Sequence, residues 1–165
     1  MRPGGSHSKG AAYERAIAQK LSLWITHGKI ADGLWRTSMS GGRATIALRR
    51  GEKLQQVGDL AAIRPELHPF TSKHYIECKH VRSLDVESFI LTGKGSLATF
   101  WRTALKESLA HDARFPVIVA KQNRTPDIVL TGYEVFPRNP NVPKASKPGG
   151  WDLWLLADLL EQPYM

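Results

Sequence analysis

The segment Glu77-Cys78-Lys79 combines residue types and a spacing that could do chemistry. Side chains alternate between the two faces of an extended strand, so Glu77 and Lys79 share one face while Cys78 lies on the other. The rise per residue separates the acid and the base by about 7 Å along the backbone. Such a pair can hold a cation and orient a water molecule, or it can form a simple ion pair on a solvated face.

Two further carboxylates stand where burial would be costly. Asp59 begins an otherwise apolar segment, where it must pair with a metal ion or another cation, unless it only caps a turn. Glu14 falls about 100° from Tyr13 on a helical projection, inside the apolar stripe of the first helix. An inward glutamate needs a partner, which could be a metal ion, Lys79 or an arginine.

Together these groups suit phosphoester chemistry. Carboxylate oxygens are the ligands that Mg²⁺ or Mn²⁺ prefers, and such ions can also bind substrate phosphate. A metal held in this way can polarise a phosphoryl oxygen and activate a water molecule, while Lys79 orients that water or stabilises developing negative charge.

The charge distribution favours a polyanionic partner. Lys and Arg number 23 against 15 Asp and Glu, a net charge of +8. Residues 1–56 carry +7 of this excess, whereas residues 57–165 carry +1. A strongly basic segment is typical of nucleic-acid binding, although a solvated basic face that only maintains solubility has the same composition.

The elements that must position these groups follow from apolar periodicity and turn residues. We predict a helix over 9–27, ending at Gly28, and adjacent hairpin strands over 58–63 and 74–80. The other predicted elements are strands at 34–37, 115–120 and 128–130, helices at 85–91 and 96–110, and a strand, a helix or both at 151–160. This order favours an α/β fold with a central mixed sheet flanked by helices.

Length and composition fit a single domain over residues 1–165. Within it we expect a flexible basic arm at 1–8, a mobile basic loop at 38–56 and a proline-rich surface connection at 137–150. The lone cysteine excludes an internal disulfide and fits a reducing compartment. No apolar run is long enough to span a bilayer, so we expect a cytoplasmic protein without membrane contact.

The pair Gly58-Asp59 followed by Glu77-Cys78-Lys79 resembles the bipartite motif of the PD-(D/E)XK nuclease superfamily, with Val57 where proline often stands. Over residues 9–79 the chain is similar to archaeal-type Holliday junction resolvases and their phage-encoded relatives. This similarity rests on Ser8-Lys9-Gly10, Tyr13-Glu14-Arg15 and Trp35-Arg36-Thr37-Ser38, followed by a glycine-containing loop.

The resemblance implies a restriction-endonuclease-like core and a role for each matching residue. Asp59 and Glu77 would be the principal metal ligands, Glu14 would complete the site, and Lys79 would be the catalytic lysine. Ser38 would lie near the scissile group. DNA contacts are expected from Lys9, Arg15, Arg36, Arg43, Arg49 and Arg50.

The resemblance also implies a Mg²⁺-dependent or Mn²⁺-dependent homodimer that nicks opposing strands of a four-way DNA junction, in a prokaryotic cell or a phage-infected host. Two alternatives stay open at this stage. One is a restriction-type or recombination nuclease acting on linear or flapped DNA, because junction choice depends on shape. The other is a non-catalytic, basic DNA-binding module.

Overall fold

The computed structural model describes residues 5–37, 57–112, 114–136 and 142–164, with side chains from residue 9 onward. Its helices are α1 (Gly5–Ile25), α2 (His68–Lys73), α3 (Val86–Thr92), α4 (Ser96–Ala110) and α5 (Leu156–Leu160). Its strands are β1 (Leu34–Arg36), β2 (Leu60–Ala62), β3 (His74–Val81), β4 (Phe115–Gln122), β5 (Ile128–Gly132), β6 (Lys144–Lys147) and β7 (Trp151–Leu155). A 3-10 turn, Pro65–Leu67, precedes α2.

The described strands form two sheets. The larger has the order β3-β4-β5-β7-β6, and the smaller consists of β1 and β2. Strands β3 and β4 run parallel, whereas the other pairs in the larger sheet are antiparallel. The predicted α/β fold with a central mixed sheet between helices is therefore confirmed.

Apolar clusters cover the central strands on both faces. Helix α1 contributes Ile17 and Leu21 to the cluster on one face. Helix α4 contributes Leu97 and Trp101 to the cluster on the other. Burial on both faces explains why residues 117–120 are apolar without interruption, as is usual for a strand at the centre of a layered fold. Within the described ranges, no helix combines the length and apolarity needed to cross a membrane.

The first helix is close to its prediction. It begins at Gly5, so residues 5–8 of the expected flexible arm are helical, and the rest of that arm lies outside the described residues. It ends at Ile25, and the N–H of Gly28 donates to the carbonyl of Leu23 at 2.7 Å. Gly28 has φ +81°, a conformation that favours glycine after a helix.

The predicted hairpin between residues 58–63 and 74–80 is wrong. Strand β2 pairs antiparallel with β1, and β3 pairs parallel with β4. The intervening prolines do not form the predicted turn: Pro65 is the first residue of the 3-10 turn, and Pro69 is the second residue of α2. Proline is favoured there because the first helical N–H groups need no partner within the helix.

The chain after residue 141 completes the larger sheet. Within the segment 137–150, expected to be a surface connection, Lys144–Lys147 forms the edge strand β6, and residues 137–141 lie outside the described ranges. The last segment is a strand followed by a helix, one of the predicted possibilities. Its residue Asp152 is fully buried and accepts hydrogen bonds from the Glu134 N–H and the Ser146 hydroxyl. It also pairs with Lys144 at 2.9 Å.

Candidate active site

Asp59, the residue before β2, is hydrogen-bonded to strand β3, although β2 and β3 belong to different sheets. Its N–H donates to the carbonyl of Ile76 at 2.7 Å, and its Oδ2 accepts the N–H of Cys78 at 2.8 Å. These bonds flank Glu77, so the carboxylate of Asp59 lies beside the chain position of the second acid. The side chain is buried, since only 8% of the residue is exposed.

Gly58 makes this close approach possible. Its φ of +78° lies in the left-handed region, and a Cβ at this position would stand 2.5 Å from the carbonyl oxygen of Ile76. Such a contact is too short for any side chain, so glycine is required where the two backbones meet.

The end of β1 holds the same dipeptide from the other side. The hydroxyl of Thr37 donates to the carbonyl of Gly58 at 2.7 Å, and its N–H donates to the carbonyl of Asp59 at 2.9 Å. Thr37 is itself buried. The acid is therefore held by backbone bonds to β1 and β3, which leave it little freedom to move.

Glu77 and Lys79 share one face of β3, as the alternation predicts. The ammonium of Lys79 donates to Glu77 Oε1, and the hydroxyl of Tyr75, on the same face, donates to Oε2 at 3.2 Å. The Lys79 Nζ also lies 5.7 Å from the centre of the Phe100 ring, within reach of a cation–π interaction. The ion pair considered as the alternative reading is thus present in this structure.

The electrostatics identify Asp59 as the perturbed acid. Burial and the negative charge of Glu77 raise its pKa from 3.8 to about 7, and Glu14 adds to the increase. The hydrogen bond from Cys78 and the charge of Lys79 oppose this shift but do not cancel it. A carboxyl group that holds its proton near neutral pH marks a place where added positive charge is favourable.

Lys79 is held in its charged form. Burial by itself would lower the pKa of Lys79, but the charge and hydrogen bond of Glu77, together with the charge of Asp59, raise it above the usual value. The ammonium is therefore available as a hydrogen-bond donor at neutral pH.

Glu14 forms an ion pair with Arg36, and its charge also affects the acids of the candidate site. Arg36 Nε donates to Glu14 Oε2, and only 14% of the glutamate side chain is exposed. Glu14 nevertheless raises the pKa of both Asp59 and Cys78, which places its charge near theirs. The arginine pairing was one of the alternatives for this inward carboxylate.

The donor chemistry fits a hard divalent cation. Within the described residues, no three His, Cys, Asp or Glu side chains converge closely enough to hold a metal ion. Glu77 and Glu14 each bind a basic side chain, and Asp59 forms no ion pair in the described ranges. The charges of Glu77 and Glu14 both raise the pKa of Asp59, and oxygen donors of this kind suit Mg²⁺ or Mn²⁺.

The predicted DNA-contacting residues are dispersed. Lys9 lies near the β4–β5 turn, where its Nζ donates to Asn123 Oδ1 at 3.5 Å. Arg15 is exposed on α1, while Arg36 pairs with Glu14. The predicted residues outside the described ranges are Ser38, Arg43, Arg49 and Arg50.

Tyr75 and Phe100 are the site residues that sequence reasoning missed. Tyr75 could have been found, because it stands two positions before Glu77 and therefore shares its face of the strand. No sequence pattern predicts the contact of Phe100, because its distance from Lys79 depends on how α4 packs against β3.

Comparisons with known proteins supply the family. No curated protein matches the chain, and no solved structure does. A family model described as phage putative PDDEXK endonuclease matches residues 5–141, well over half of the 165 residues. The match includes Glu14, Asp59, Glu77 and Lys79, and the mixed sheet between helices agrees with a restriction-endonuclease-like fold. The chain therefore belongs to this phage PDDEXK endonuclease family, and through it to the PD-(D/E)XK nuclease superfamily.

Proposed function

We propose that this nuclease-family protein is a divalent-metal-dependent DNA endonuclease whose active site is built on Asp59, Glu77 and Lys79. The observation that carries the proposal is the position of Asp59. Backbone bonds fix this acid beside Glu77, and burial together with the negative charge of Glu77 raises its pKa to about 7. A structural carboxylate would gain more from a basic partner than from a second acid.

The proposed roles follow from these contacts. Asp59 and Glu77 would hold Mg²⁺ or Mn²⁺, with Glu14 as the third carboxylate. The ion supplies Lewis-acid chemistry, which lowers the pKa of water and stabilises negative charge on phosphate. Lys79 donates a hydrogen bond to the attacking water or to a phosphoryl oxygen, because its ammonium remains charged beside the acids. Tyr75 orients the Glu77 carboxylate through its hydroxyl.

The substrate we propose is branched DNA, cut by a homodimer at a four-way junction. This finer assignment is supported by the similarity over residues 9–79 and by the basic charge of residues 1–56. In it, Arg15 and Arg36 contact backbone phosphate and Ser38 lies near the scissile group. Arg43, Arg49 and Arg50 are proposed as further DNA contacts, so replacing all three with alanine should weaken junction binding.

The decisive experiment compares labelled four-way junction, linear duplex and single strand, each with and without Mg²⁺. We expect paired nicks in the junction that require Mg²⁺. Asp59→Asn should abolish cleavage while DNA binding survives, since the substitution removes an acid and no basic group. Asp32→Asn is the matched control, because Asp32 is a surface carboxylate paired with Arg64.

Each other outcome contradicts a stated part of the proposal. Cleavage by the Asp59→Asn variant would refute the site assignment. Preferential cleavage of linear duplex would replace the junction with a restriction-type substrate. Binding without nicking at any Mg²⁺ or Mn²⁺ concentration would indicate a non-catalytic module. Titration of the metal-free protein with Mn²⁺, followed by calorimetry, tests the metal ligands independently of cleavage.

A further inference from the structure

The carboxyl ends of β3 and β4 lie side by side because these strands are parallel. Val81 and Gln122 are partners at the end of the ladder, and the N–H of Asn123 donates to the carbonyl of Val81 at 3.2 Å. Arg82 and Arg124 are both exposed and follow the two strands, so they lie at the same end of the sheet. In open α/β sheets, ligands commonly bind beyond the carboxyl ends of the strands.

Helix α1 contributes a third basic residue, Lys9, near the carboxyl ends of β3 and β4. The ring of Tyr13 packs on that of His80 with centroids 5.3 Å apart, and one turn earlier Lys9 donates to the side chain of Asn123 at 3.5 Å. We call the group formed by Lys9, Arg82, Lys121, Asn123 and Arg124 the strand-end basic surface.

The strand-end basic surface has a net positive charge even when the neighbouring Asp127 is counted. Asp127 pairs with Lys121 at 3.6 Å and with Lys20 at 3.4 Å, so two lysines share one carboxylate. In the part of the chain that the structure describes, Arg82 and Arg124 form no ion pair. The exposed charge of the arginines is thus available to an anionic partner.

Arg124 occupies a backbone position that suits a smaller residue. Its φ is +65°, in a turn closed by the Thr125 N–H donating to the carbonyl of Gln122 at 3.3 Å. When the third residue of a turn has a positive φ, it is usually glycine or asparagine, because other residues are strained in this conformation. Glycine at this position would therefore remove the charge without straining the turn.

We propose that the strand-end basic surface binds the phosphate backbone of the DNA arm that leads away from the cleavage site. The inference rests on the proposed nuclease function and extends it. Arg82 follows Lys79 by three residues, about 10 Å along an extended strand. A DNA strand rises about 3.4 Å per nucleotide, so a DNA strand running along β3 would bring phosphates about three nucleotides from the scissile bond to this surface. Guanidinium groups suit phosphate because they can donate two parallel hydrogen bonds.

The test measures DNA binding in the Asp59→Asn background, so that cleavage does not interfere. The double substitution Arg82→Gln with Arg124→Gly removes the two charges that have no ion-pair partner in the described ranges, and glycine relieves the turn instead of disturbing it. Lys106→Gln with Lys147→Gln removes two exposed charges elsewhere, on α4 and on the opposite edge strand β6. Fluorescence anisotropy with labelled junction and linear duplex gives Kd over a range of salt concentrations, and thermal melts confirm that each variant is folded.

We expect the strand-end variant to bind both DNAs at least about tenfold more weakly, while the control changes by less than about twofold. The slope of log Kd against log salt should fall by about 1 to 2 in the strand-end variant, since fewer counterions are released. Unchanged affinity, or an equal loss in the control, would overturn the assignment of this surface. Competition by duplex RNA as strong as by duplex DNA would overturn DNA as its partner.

The two proposals can fail separately. If the background protein binds DNA but the strand-end variant binds equally well, the surface is wrong and the active site is untouched. If the protein with Asp59 intact binds DNA through this surface but never cleaves it with Mg²⁺, the catalytic proposal is wrong. A chain that binds no DNA at low salt would refute both.

Discussion

The substitution Asp59→Asn should stabilise the protein in the absence of metal, although it removes a residue central to the proposed chemistry. The folded-state pKa of Asp59, about 7, lies above its value of 3.8 in an unfolded chain. The unfolded state therefore loses its proton first as the pH rises, and folding stability falls between about pH 4 and pH 7. Asparagine cannot ionise, yet it still offers an oxygen to the N–H of Cys78.

The magnitude follows from the same two values. A tenfold change in proton affinity corresponds to about 1.4 kcal/mol, so the interval from 3.8 to about 7 corresponds to roughly 4 kcal/mol at pH 8. At pH 5 the penalty is smaller, about 2 kcal/mol, because pH 5 is only about one unit above the unfolded-state pKa of 3.8, while Asp59 in the folded state is still protonated. The advantage of the Asp59→Asn variant should therefore grow by about 2–3 kcal/mol between pH 5 and pH 8.

Urea unfolding of metal-free protein, followed by tryptophan fluorescence at several pH values, measures this difference. Asp32→Asn provides the control, since its side chain is 64% exposed and a surface ion pair contributes about 1 kcal/mol or less. Adding Mg²⁺ at pH 8 should stabilise the protein with Asp59 intact and leave the variant unchanged. A variant that is less stable at pH 8, or whose advantage does not vary with pH, would refute the raised pKa of Asp59.

Three further substitutions test the surroundings of the site. Gly58→Ala should destabilise the fold by about 2–4 kcal/mol, measured by urea unfolding, because its Cβ would stand 2.5 Å from a β3 carbonyl oxygen; an effect below about 1 kcal/mol would contradict this. Asp152→Ala should cost about 3–5 kcal/mol by the same measurement, because it leaves the buried ammonium of Lys144 without its partner; a neutral result would show that this pair does not stabilise the sheet edge. Tyr75→Phe should weaken Mn²⁺ binding about tenfold, measured by calorimetry, by freeing the Glu77 carboxylate; unchanged affinity would exclude an orienting role.

The sequence contained enough information to predict the strand that carries the acid and the base. Alternation placed Glu77 and Lys79 on one face because it depends only on the strand period, and β3 confirms it. The helical projection likewise placed Glu14 toward the interior, where its side chain is largely buried. Local periodicity determines both results, so neither needed knowledge of the sheet.

The sequence did not reveal how Asp59 reaches β3. Strand β2 has three residues, too few to show a pattern, and its partner is β1 rather than the next strand along the chain. The contact depends on the backbone bonds of Gly58 and Thr37, which become visible only when three separate segments meet. The sequence also did not show that Arg36 pairs with Glu14. A guanidinium can bind either a carboxylate or a phosphate, and only the folded structure brings these two residues together.

The family match and the folded unit end at different places. The match stops at residue 141, yet β6, β7 and α5 all follow it. Strand β7 lies between β5 and β6, and Gln162 supplies the carbonyl that accepts the indole N–H of Trp24 on α1. A chain cut at residue 141 would lose two strands of the larger sheet. Strand β5 would then be an edge strand whose unpaired backbone groups can pair with a strand of another molecule. Shortened forms designed from the matched range alone should therefore aggregate, and expression work should keep the C-terminal tail through residue 164.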